Sequence, residues 1–515
     1  MSVNVRARGL GLRANGFLLS AVALTGACSD AGTAGTGAGP VTSSEALSLR
    51  ADERCEAPQG EMSVSALSKF EAETRITRRN DGAMVAIWDS NVDYPGTGGM
   101  QSIGYRVFRP HCERGGGQGW GPVQLLTVPG GHYHSDPSVA VDREGDFYLS
   151  FIAVEGPIAS PPSLFPSYPE SIVRPYVARL RRGATTADAP VLISGPDDTF
   201  TDKPWIAITP EGAVAVSYLG GGNGPGFPIV FARSTDHGAT WQRSVPDATN
   251  NAFLPQVCIG GEGRRIYVTD IYAPFGGGKQ DGAAMTSNVT LRERPIDEAR
   301  RSRAARRGRT PTAPVITPGP LPPGVPTQHL HWSDDDGRTW SEGNAWPIDS
   351  NNAYSITTCA VSGKDVWLTE VFGATQDFPP PSQTIRVGHF TDRGATFVGD
   401  TVPSFDGDPF FAQPLIVADE EGRLNLFTHT LQGYYDNSLG GRFVRLRSRD
   451  GGKTFGPTEA LATDLFTGGG AVRHNVGWMG DYQGGEARED GTLDVTFVAP
   501  RQGIPQHVTY LHLPR

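Results

Sequence analysis

The chain has 515 residues, a formal net charge of −10, 66 glycines and 41 prolines. So many turn-forming residues exclude a helix-rich protein and point to an all-β chain with many loops. The acidic balance argues against nucleic acid as a partner, and the length suits either two or three ordinary domains or one repeat fold.

The chain begins with a basic stretch, Arg6, Arg8 and Arg13, followed by an apolar run from Gly16 to Ala27. That run is too short to remain as a membrane span and reads as a targeting segment. It ends in L-T-G-A-C at Cys28, which resembles a bacterial lipoprotein box, although Thr25 stands where leucine is usual. The resemblance implies a signal peptide over 1–28 and a lipid on Cys28 that anchors the mature chain to a membrane of the bacterial cell envelope. Ordinary secretion is the alternative. Ser29 to Ser44 is rich in Gly, Ala, Thr and Ser, so 29–59 is expected to be a flexible tether and 60–515 the folded region.

From Glu73 onward one unit recurs: a short apolar strand, a polar turn with glycine, then an alternating strand. Examples are P-S-V-A-V-D-R-E-G-D-F-Y-L-S-F and P-W-I-A-I-T-P-E-G-A-V-A-V-S-Y. The turn glycines are Gly82, Gly145, Gly212, Gly263, Gly363, Gly422 and Gly491, nearly evenly spaced except between Gly263 and Gly363. The period fits propeller blades, and the alternation puts every second residue on one sheet face. A third and a fourth strand are expected after each hairpin. The last unit has its third strand at His507 to Leu513, where the sequence stops, so Glu61 to Leu67 is expected to supply its fourth strand and close the ring.

Four stretches share a second pattern: S-T-D-H-G-A-T-W at Ser234 to Trp241, S-D-D-D-G-R-T-W at Ser333 to Trp340, F-T-D-R-G-A-T-F at Phe390 to Phe397, and S-R-D-G-G-K-T-F at Ser448 to Phe455. Asp236, Asp335, Asp392 and Asp450 are suited to accept backbone N–H groups across a tight turn, and the glycines permit left-handed backbone. A decayed copy reads C-E-R-G-G-G-Q-G-W at Cys112 to Trp120. The pattern is the Asp box, and on its strength the chain resembles the sialidase-like, BNR-repeat β-propellers. The resemblance implies an all-β propeller, seven-bladed by the glycine count, with the six-bladed sialidase arrangement as the alternative. It also implies that the boxes lie on the turns opposite the functional face.

The long interval contains an insertion at about 277–326, with R-R-S-R-A-A-R-R-G-R at Arg300 to Arg309. It reads as a solvated loop or as a basic arm for anionic polysaccharide or lipid headgroups. With Cys28 assigned to lipid, Cys55 and Cys112 are expected on adjacent blades as a disulfide. Cys258 and Cys359 occupy equivalent positions in neighbouring blades, roughly 10 Å apart if blades stack face to face. They are expected as two buried small hydrophobes.

In this fold the loops entering each inner strand and leaving each second strand converge on the central channel. The entering loops supply Glu71, Glu73, His132, Tyr133, His134, Asp136, Asp202, Lys203, Trp205, Asp406, Asp408, Arg473, His474, Trp478, Asp481 and Tyr482. The leaving loops add Asp89, Asp93, Tyr94, Asp270, Glu370, His429 and Arg501. Acidic, aromatic and cationic groups in one concave site suit sugar binding and glycoside chemistry.

Sialidases clamp the substrate carboxylate with three arginines and pair a tyrosine nucleophile with a glutamate. Here F-E-A-E-T-R-I stands where the first arginine motif belongs, Arg75 lies deeper in the strand, and only Arg473 and Arg501 are placed for a clamp. D-K-P-W at Asp202 to Trp205 and G-W-M-G-D-Y-Q-G at Gly477 to Gly484 look like signatures of secreted, sialidase-like bacterial propellers. The expected catalytic set is Tyr482, Glu73, Asp136 and Asp202, and the expected substrate-binding set is Arg473, Arg501, Asp481, Lys203 and His134. No cofactor is required. Glu71, Glu73, Asp136, Asp202 and Asp408 are either oxygen ligands for calcium or turn caps that pair with Lys203 and Arg473.

Three functions remain open: a monomeric, surface-anchored propeller that recognises a carbohydrate or glycoconjugate, an exo-acting glycoside hydrolase of the sialidase type, and a scaffold for protein contacts.

Overall fold

The computed structural model describes residues 62–64, 70–91, 102–110, 119–155, 172–195, 198–221, 227–248, 252–260, 265–272, 327–347, 357–372, 383–406, 410–432, 440–465, 480–488, 490–501 and 504–515. Every regular element among them is a strand.

After β1 (Met62–Ser63), blade 1 comprises β2 (Phe70–Arg78), β3 (Met84–Asn91), β4 (Ser102–Phe108) and β5 (Gln124–Leu126). Blade 2 comprises β6 (Gly131–Val141), β7 (Phe147–Glu155), β8 (Ile172–Leu180) and β9 (Val191–Leu192). Blade 3 comprises β10 (Phe200–Ile208), β11 (Val214–Gly221), β12 (Ile229–Ser234) and β13 (Gln242–Asp247). Blade 4 comprises β14 (Ala252–Gly260), β15 (Arg265–Tyr272), β16 (Thr327–Ser333) and β17 (Ser341–Pro347). Blade 5 comprises β18 (Cys359–Ser362), β19 (Asp365–Phe372), β20 (Thr384–Thr391) and β21 (Thr396–Thr401). Blade 6 comprises β22 (Phe410–Ala418), β23 (Leu424–Leu431), β24 (Gly441–Ser448) and β25 (Glu459–Leu465). Blade 7 comprises β26 (Gly484–Ala487), β27 (Leu493–Arg501) and β28 (Ile504–Leu513), with β1 as its outer strand.

The result is a seven-bladed β-propeller of antiparallel four-stranded sheets. The closing strand pairs Met62 with Tyr510 and Ser63 with Thr509, and the Val64 amide donates to the Val508 carbonyl.

The apolar core lies between blades rather than within one. Ile87 and Tyr105 of blade 1 pack with Leu149 and Phe151 of blade 2. Trp367 and Val387 of blade 5 pack with Leu426 and Val444 of blade 6, and Trp88 and Phe108 of blade 1 pack with Tyr510 and Val508 of blade 7. Each such side chain removed from water contributes about 1.5–3 kcal/mol, so every blade depends on its two neighbours.

The four repeated turns join the third and fourth strands of blades 3 to 6. In blade 3 the Gly238 amide donates to Ser234 Oγ at 2.8 Å, and Ser234 Oγ donates to Asp236 Oδ1 at 2.7 Å. The Thr240 amide and hydroxyl then donate to the two Asp236 oxygens at 2.8 and 2.6 Å. The same set recurs around Asp335 and Asp450. In blade 5, Phe390 has no hydroxyl to offer; Thr396 still bonds Asp392 at 2.9 Å, and both Asp392 and Arg393 take positive φ. A Cβ on Gly337 would lie 2.2 Å from the Phe231 ring of blade 3, so this turn also seats one blade on the next.

Cys258 and Cys359 are not two separate hydrophobes. They form a disulfide between β14 and β18, with Cα atoms 6.2 Å apart. Inner strands converge toward the axis, so equivalent positions there approach more closely than the roughly 10 Å of sheets packed face to face. The expected Cys55–Cys112 bridge, Cys28 and the insertion at 277–326 lie outside the described residues.

Hydrogen bonds hold Asp236 at a pKa of about 2, the Thr240 hydroxyl contributing most. That value lies below the unfolded aspartate value of about 3.9. The stabilisation is therefore fully present above pH ~4 and lost as pH falls through about 2. Asp236→Asn should lower stability by about 1 kcal/mol at pH 7, with the difference from wild type shrinking toward pH 2. Urea unfolding of both proteins across that range checks this.

Candidate functional site

Five inner strands carry the same irregularity. Glu73, Asp136, Lys203, Leu254 and Gln413 have φ of 44, 58, 48, 51 and 54°. Each sits at a register shift: Ala72/Thr74, Ser135/Ser138, Asp202/Trp205, Phe253/Gln256 and Ala412/Leu415. A bulge leaves its extra residue out of the ladder and re-aims the side chain. Pro137, Pro204, Pro255 and Pro414 follow four of these residues, which is tolerable inside a sheet because a bulge needs no ladder N–H there. Left-handed backbone at a non-glycine residue costs about 1–3 kcal/mol and persists where its surroundings over-determine it. Tyr482 occupies the same position relative to Gly491 as Glu73 does to Gly82.

The bulges of blades 1, 2 and 3, with the segment leading into β26 of blade 7, bring charges from four blades together. Lys203 Nζ lies 2.9 Å from Glu73 Oε1, 2.5 Å from Asp136 Oδ1 and 2.7 Å from Asp481 Oδ2. The Asp481 amide donates to Glu73 Oε1 at 3.2 Å, and Ser135 Oγ donates to Asp89 Oδ2 at 2.7 Å. Glu73, Asp89, Asp136 and Lys203 are buried, whereas Asp202 and Asp481 are partly exposed.

So many carboxyl groups around one ammonium cannot all ionise. Burial pushes Glu73 well above the usual carboxylate range, and Lys203 offsets this only in part. Burial and then the Asp136 charge push Asp89 and Asp202 up in the same way. Asp136 moves down, because the attraction of Lys203 and hydrogen bonds from Glu73 and Asp202 together overcome its burial. Burial also opposes the Lys203 ammonium, yet Asp136, Asp481, Glu73 and Asp202 hold its pKa well above the ordinary lysine value.

Aromatic and amide groups form the floor of the cluster. The Tyr482 hydroxyl donates to the Pro137 carbonyl at 2.8 Å, and its ring meets Trp205 edge to face at 5.2 Å. The Arg75 guanidinium lies 4.0 Å over Trp205, and burial lowers its pKa to about 10. Gln413 Nε2 donates to the Gly480 carbonyl at 2.8 Å, and Gln483 Nε2 to the Gln413 carbonyl at 2.6 Å. A Cβ on Gly480 would lie 2.2 Å from Glu73 Cγ, so only glycine lets blade 7 approach this closely.

Among the expected site residues, Tyr482, Glu73, Asp136, Asp202, Asp481 and Lys203 thus come together. His134 is buried, and its Nε2 accepts the Val128 amide at 2.8 Å, so it braces its own loop. Arg473, His474, Trp478 and Asp408 lie outside the described residues, as does the side chain of Arg501 in β27. Glu71 is buried and its Oε2 accepts the Val508 amide of blade 7. Lys203 pairs with Glu73 and Asp136, two of the five carboxylates expected as calcium ligands or turn caps. Trp205 is a packing residue. Asp89 was expected at the channel face but not in the catalytic or binding set, and Ser135, Gln413 and Gln483 were not expected there. The fixed offset of the bulge from the hairpin glycine is a signal that would have found Gln413.

A cavity of about 480 Å³ opens at the other end of the channel, lined by Arg79, Asp81, Asp142, Arg143, Arg182 and Thr209 among others. Its charged groups are largely taken up by one another. Arg79 and Arg182 pair with Asp81, and Arg143 donates to the Pro210 carbonyl. The channel mouth is therefore the better candidate.

No protein-family model matches this sequence, and no curated protein does either. Similar solved structures include a protein of unknown function from Dyadobacter fermentans, with TM-score 0.47 and 17% identity, covering 74% of this chain and 95% of that one. Trypanosoma rangeli sialidase in complex with the inhibitor DANA has TM-score 0.43 and 11% identity over 87% of this chain, which spans 55% of the sialidase. NanB sialidase from Streptococcus pneumoniae, a point mutant, has TM-score 0.43 and 9% identity, covering 90% of this chain and 70% of that one.

Removing Lys203 would leave buried carboxylates facing one another. Lys203→Met should cost about 3–5 kcal/mol at pH 7. The orphaned carboxyls would have raised folded-state pKa values, so the variant should regain stability as pH falls and protons neutralise them. Urea unfolding at pH 7 and pH 5 measures both effects, and a deficit that does not shrink at pH 5 would contradict the account.

Proposed function

We propose that the protein recognises a glycan or glycoconjugate through the channel mouth of the propeller. The observation that carries this reading is the exposure pattern of the ion cluster. Its interior is sealed, while Asp202, at the bulge of β10, and Asp481, paired with Lys203, keep partial exposure. Carboxyl groups fixed in this way accept pairs of sugar hydroxyls with little ordering cost on binding.

A second reading, glycoside hydrolysis, has one observation in its favour. Asp202 is pushed up while its neighbour Asp136 is pushed down, and carboxyls driven apart in this way suit an acid and a base. Sialidase chemistry through Tyr482 fits less well. The Tyr482 hydroxyl donates to a backbone carbonyl, and burial, followed by the Glu73 charge, pushes its pKa well above the usual tyrosine value. A nucleophilic tyrosine needs the opposite. We also place the chain in the bacterial cell envelope, held by a lipid on Cys28, on the strength of its N-terminal sequence.

A glycan array combined with a panel of chromogenic glycosides tests the function. Binding without turnover is the expected result. Asp202→Asn and Asp481→Asn should each reduce binding at least about tenfold while leaving the thermal midpoint nearly unchanged. Turnover lost in the same variants would favour the hydrolase, and silence in both assays would leave a protein-contact scaffold. For location, Cys28→Ala should move the protein from the membrane fraction to the soluble fraction on cell fractionation, whereas a variant still bound to membranes would rule out the anchor.

A further inference from the structure

We propose that blades 3 and 4 share a divalent-metal site built from Asp247, Asp270, His329 and His331. Asp247 ends β13 of blade 3, Asp270 lies on β15 of blade 4, and His329 and His331 lie on β16. Residues two apart on a strand project to one face, so both imidazoles point the same way. Asp270 pairs directly with His329 across the β15–β16 ladder.

The spacing of the donor atoms is that of a coordination shell. His329 Nδ1 lies 3.2 Å from Asp247 Oδ2 and 3.6 Å from Asp270 Oδ1. His331 Nε2 lies 3.6 Å from Asp247 Oδ2 and 3.0 Å from Asp270 Oδ2. A tetrahedral zinc ion about 2.0–2.2 Å from each ligand sets neighbouring ligand atoms roughly 3.3–3.6 Å apart. All four donors lie within 4.8 Å of one another.

A second observation is independent of the spacing. Asp270 is 1% exposed and is approached by the rings of His329 and His331, yet neither of its carboxylate oxygens receives an aligned hydrogen bond, and neither ring nitrogen of the buried His331 makes one. The close approach of Asp270 to His331 is not aligned as a hydrogen bond. Buried polar atoms left in this state are costly, and an ion between them would satisfy them together.

His329 is prepared in the way metal ligands usually are. Its Nε2 lies 2.9 Å from Thr327 Oγ1. Its Nδ1 is hydrogen-bonded to Asp247 Oδ2 at 3.2 Å, so taking up an ion would move the ring proton to Nε2, where Thr327 Oγ1 accepts it, and free the Nδ1 lone pair. The Tyr272 ring stacks on the imidazole at 5.6 Å and sets its plane.

By contrast, the group Asp142, Glu144, Asp146 and His237 has the look of an ordinary turn. Asp142 accepts the Gly145 and Asp146 amides and the Tyr148 hydroxyl, and Asp146 is bonded by Arg179.

Two imidazoles and two carboxylates with four protein donors suit zinc in a closed structural site, and the two negative charges balance the ion. The ion would cross-link adjacent blades on the same end of the propeller as the channel mouth. It would also tie together the two strands, β15 and β16, between which 273–326 is inserted.

The full chain, stripped with a chelator and then titrated with zinc and with cobalt, tests this. One zinc per chain should bind, the thermal midpoint should rise by on the order of 3 °C, and cobalt should give the visible bands of four-coordinate N/O ligation. His331→Asn and Asp270→Asn should each weaken zinc binding by more than about tenfold, while Asp142→Asn should leave it unchanged. Absence of stoichiometric zinc or cobalt binding to the wild-type chain would overturn the proposal, and so would binding that survives in both ligand variants. The wild-type titration decides the matter even if those variants do not fold.

Discussion

One ammonium group, Lys203 Nζ, joins blade 3 to carboxyl groups of blades 1, 2 and 7. The axis of the propeller depends on it. Two of these carboxyls, Glu73 and Asp136, have been drawn out of water, and a shared cation makes such burial tolerable. The cluster could not form on regular strands, because a regular ladder would direct these side chains into the blade faces. The left-handed bulge residues turn them to the axis instead. Local strain and the ion cluster thus support one another.

Away from the axis the molecule is held by pairwise contacts between neighbours. Apolar side chains from adjacent blades form its core clusters, and the repeated turns rest on the preceding blade, as Gly337 does on Phe231. A disulfide links blades 4 and 5, and the Asp247–His331 cluster spans blades 3 and 4. The N-terminal strand β1 ties the last blade to the start of the ring. A ring needs such closure, since otherwise its two end blades would each expose an apolar face.

This division of labour also orders the chemistry. Carboxyls at the axis, Asp202 among them, have their protonation states set by burial and by each other, while Asp202 and Asp481 keep partial exposure at the mouth. Groups that structure has fixed in this way hold their geometry without rearranging.

The seven-unit ring was legible in the sequence. Turn glycines, period-two alternation and the serine–aspartate turns are local signals, each set by the φ/ψ or hydrogen-bond needs of a few neighbouring residues. The gathering of Glu73, Asp136, Asp202, Lys203, Asp481 and Tyr482 was legible too, because equivalent loops of a ring must converge. The partners within that gathering were not. That Lys203 takes three carboxyls, that Tyr482 serves a backbone carbonyl, and that His134 braces its own loop depend on distances between blades. The same holds for the approach of Cys258 to Cys359 and for the meeting of His329 and His331 with Asp247 and Asp270. Those distances follow from how far seven twisted sheets converge toward one axis, which only the tertiary structure decides.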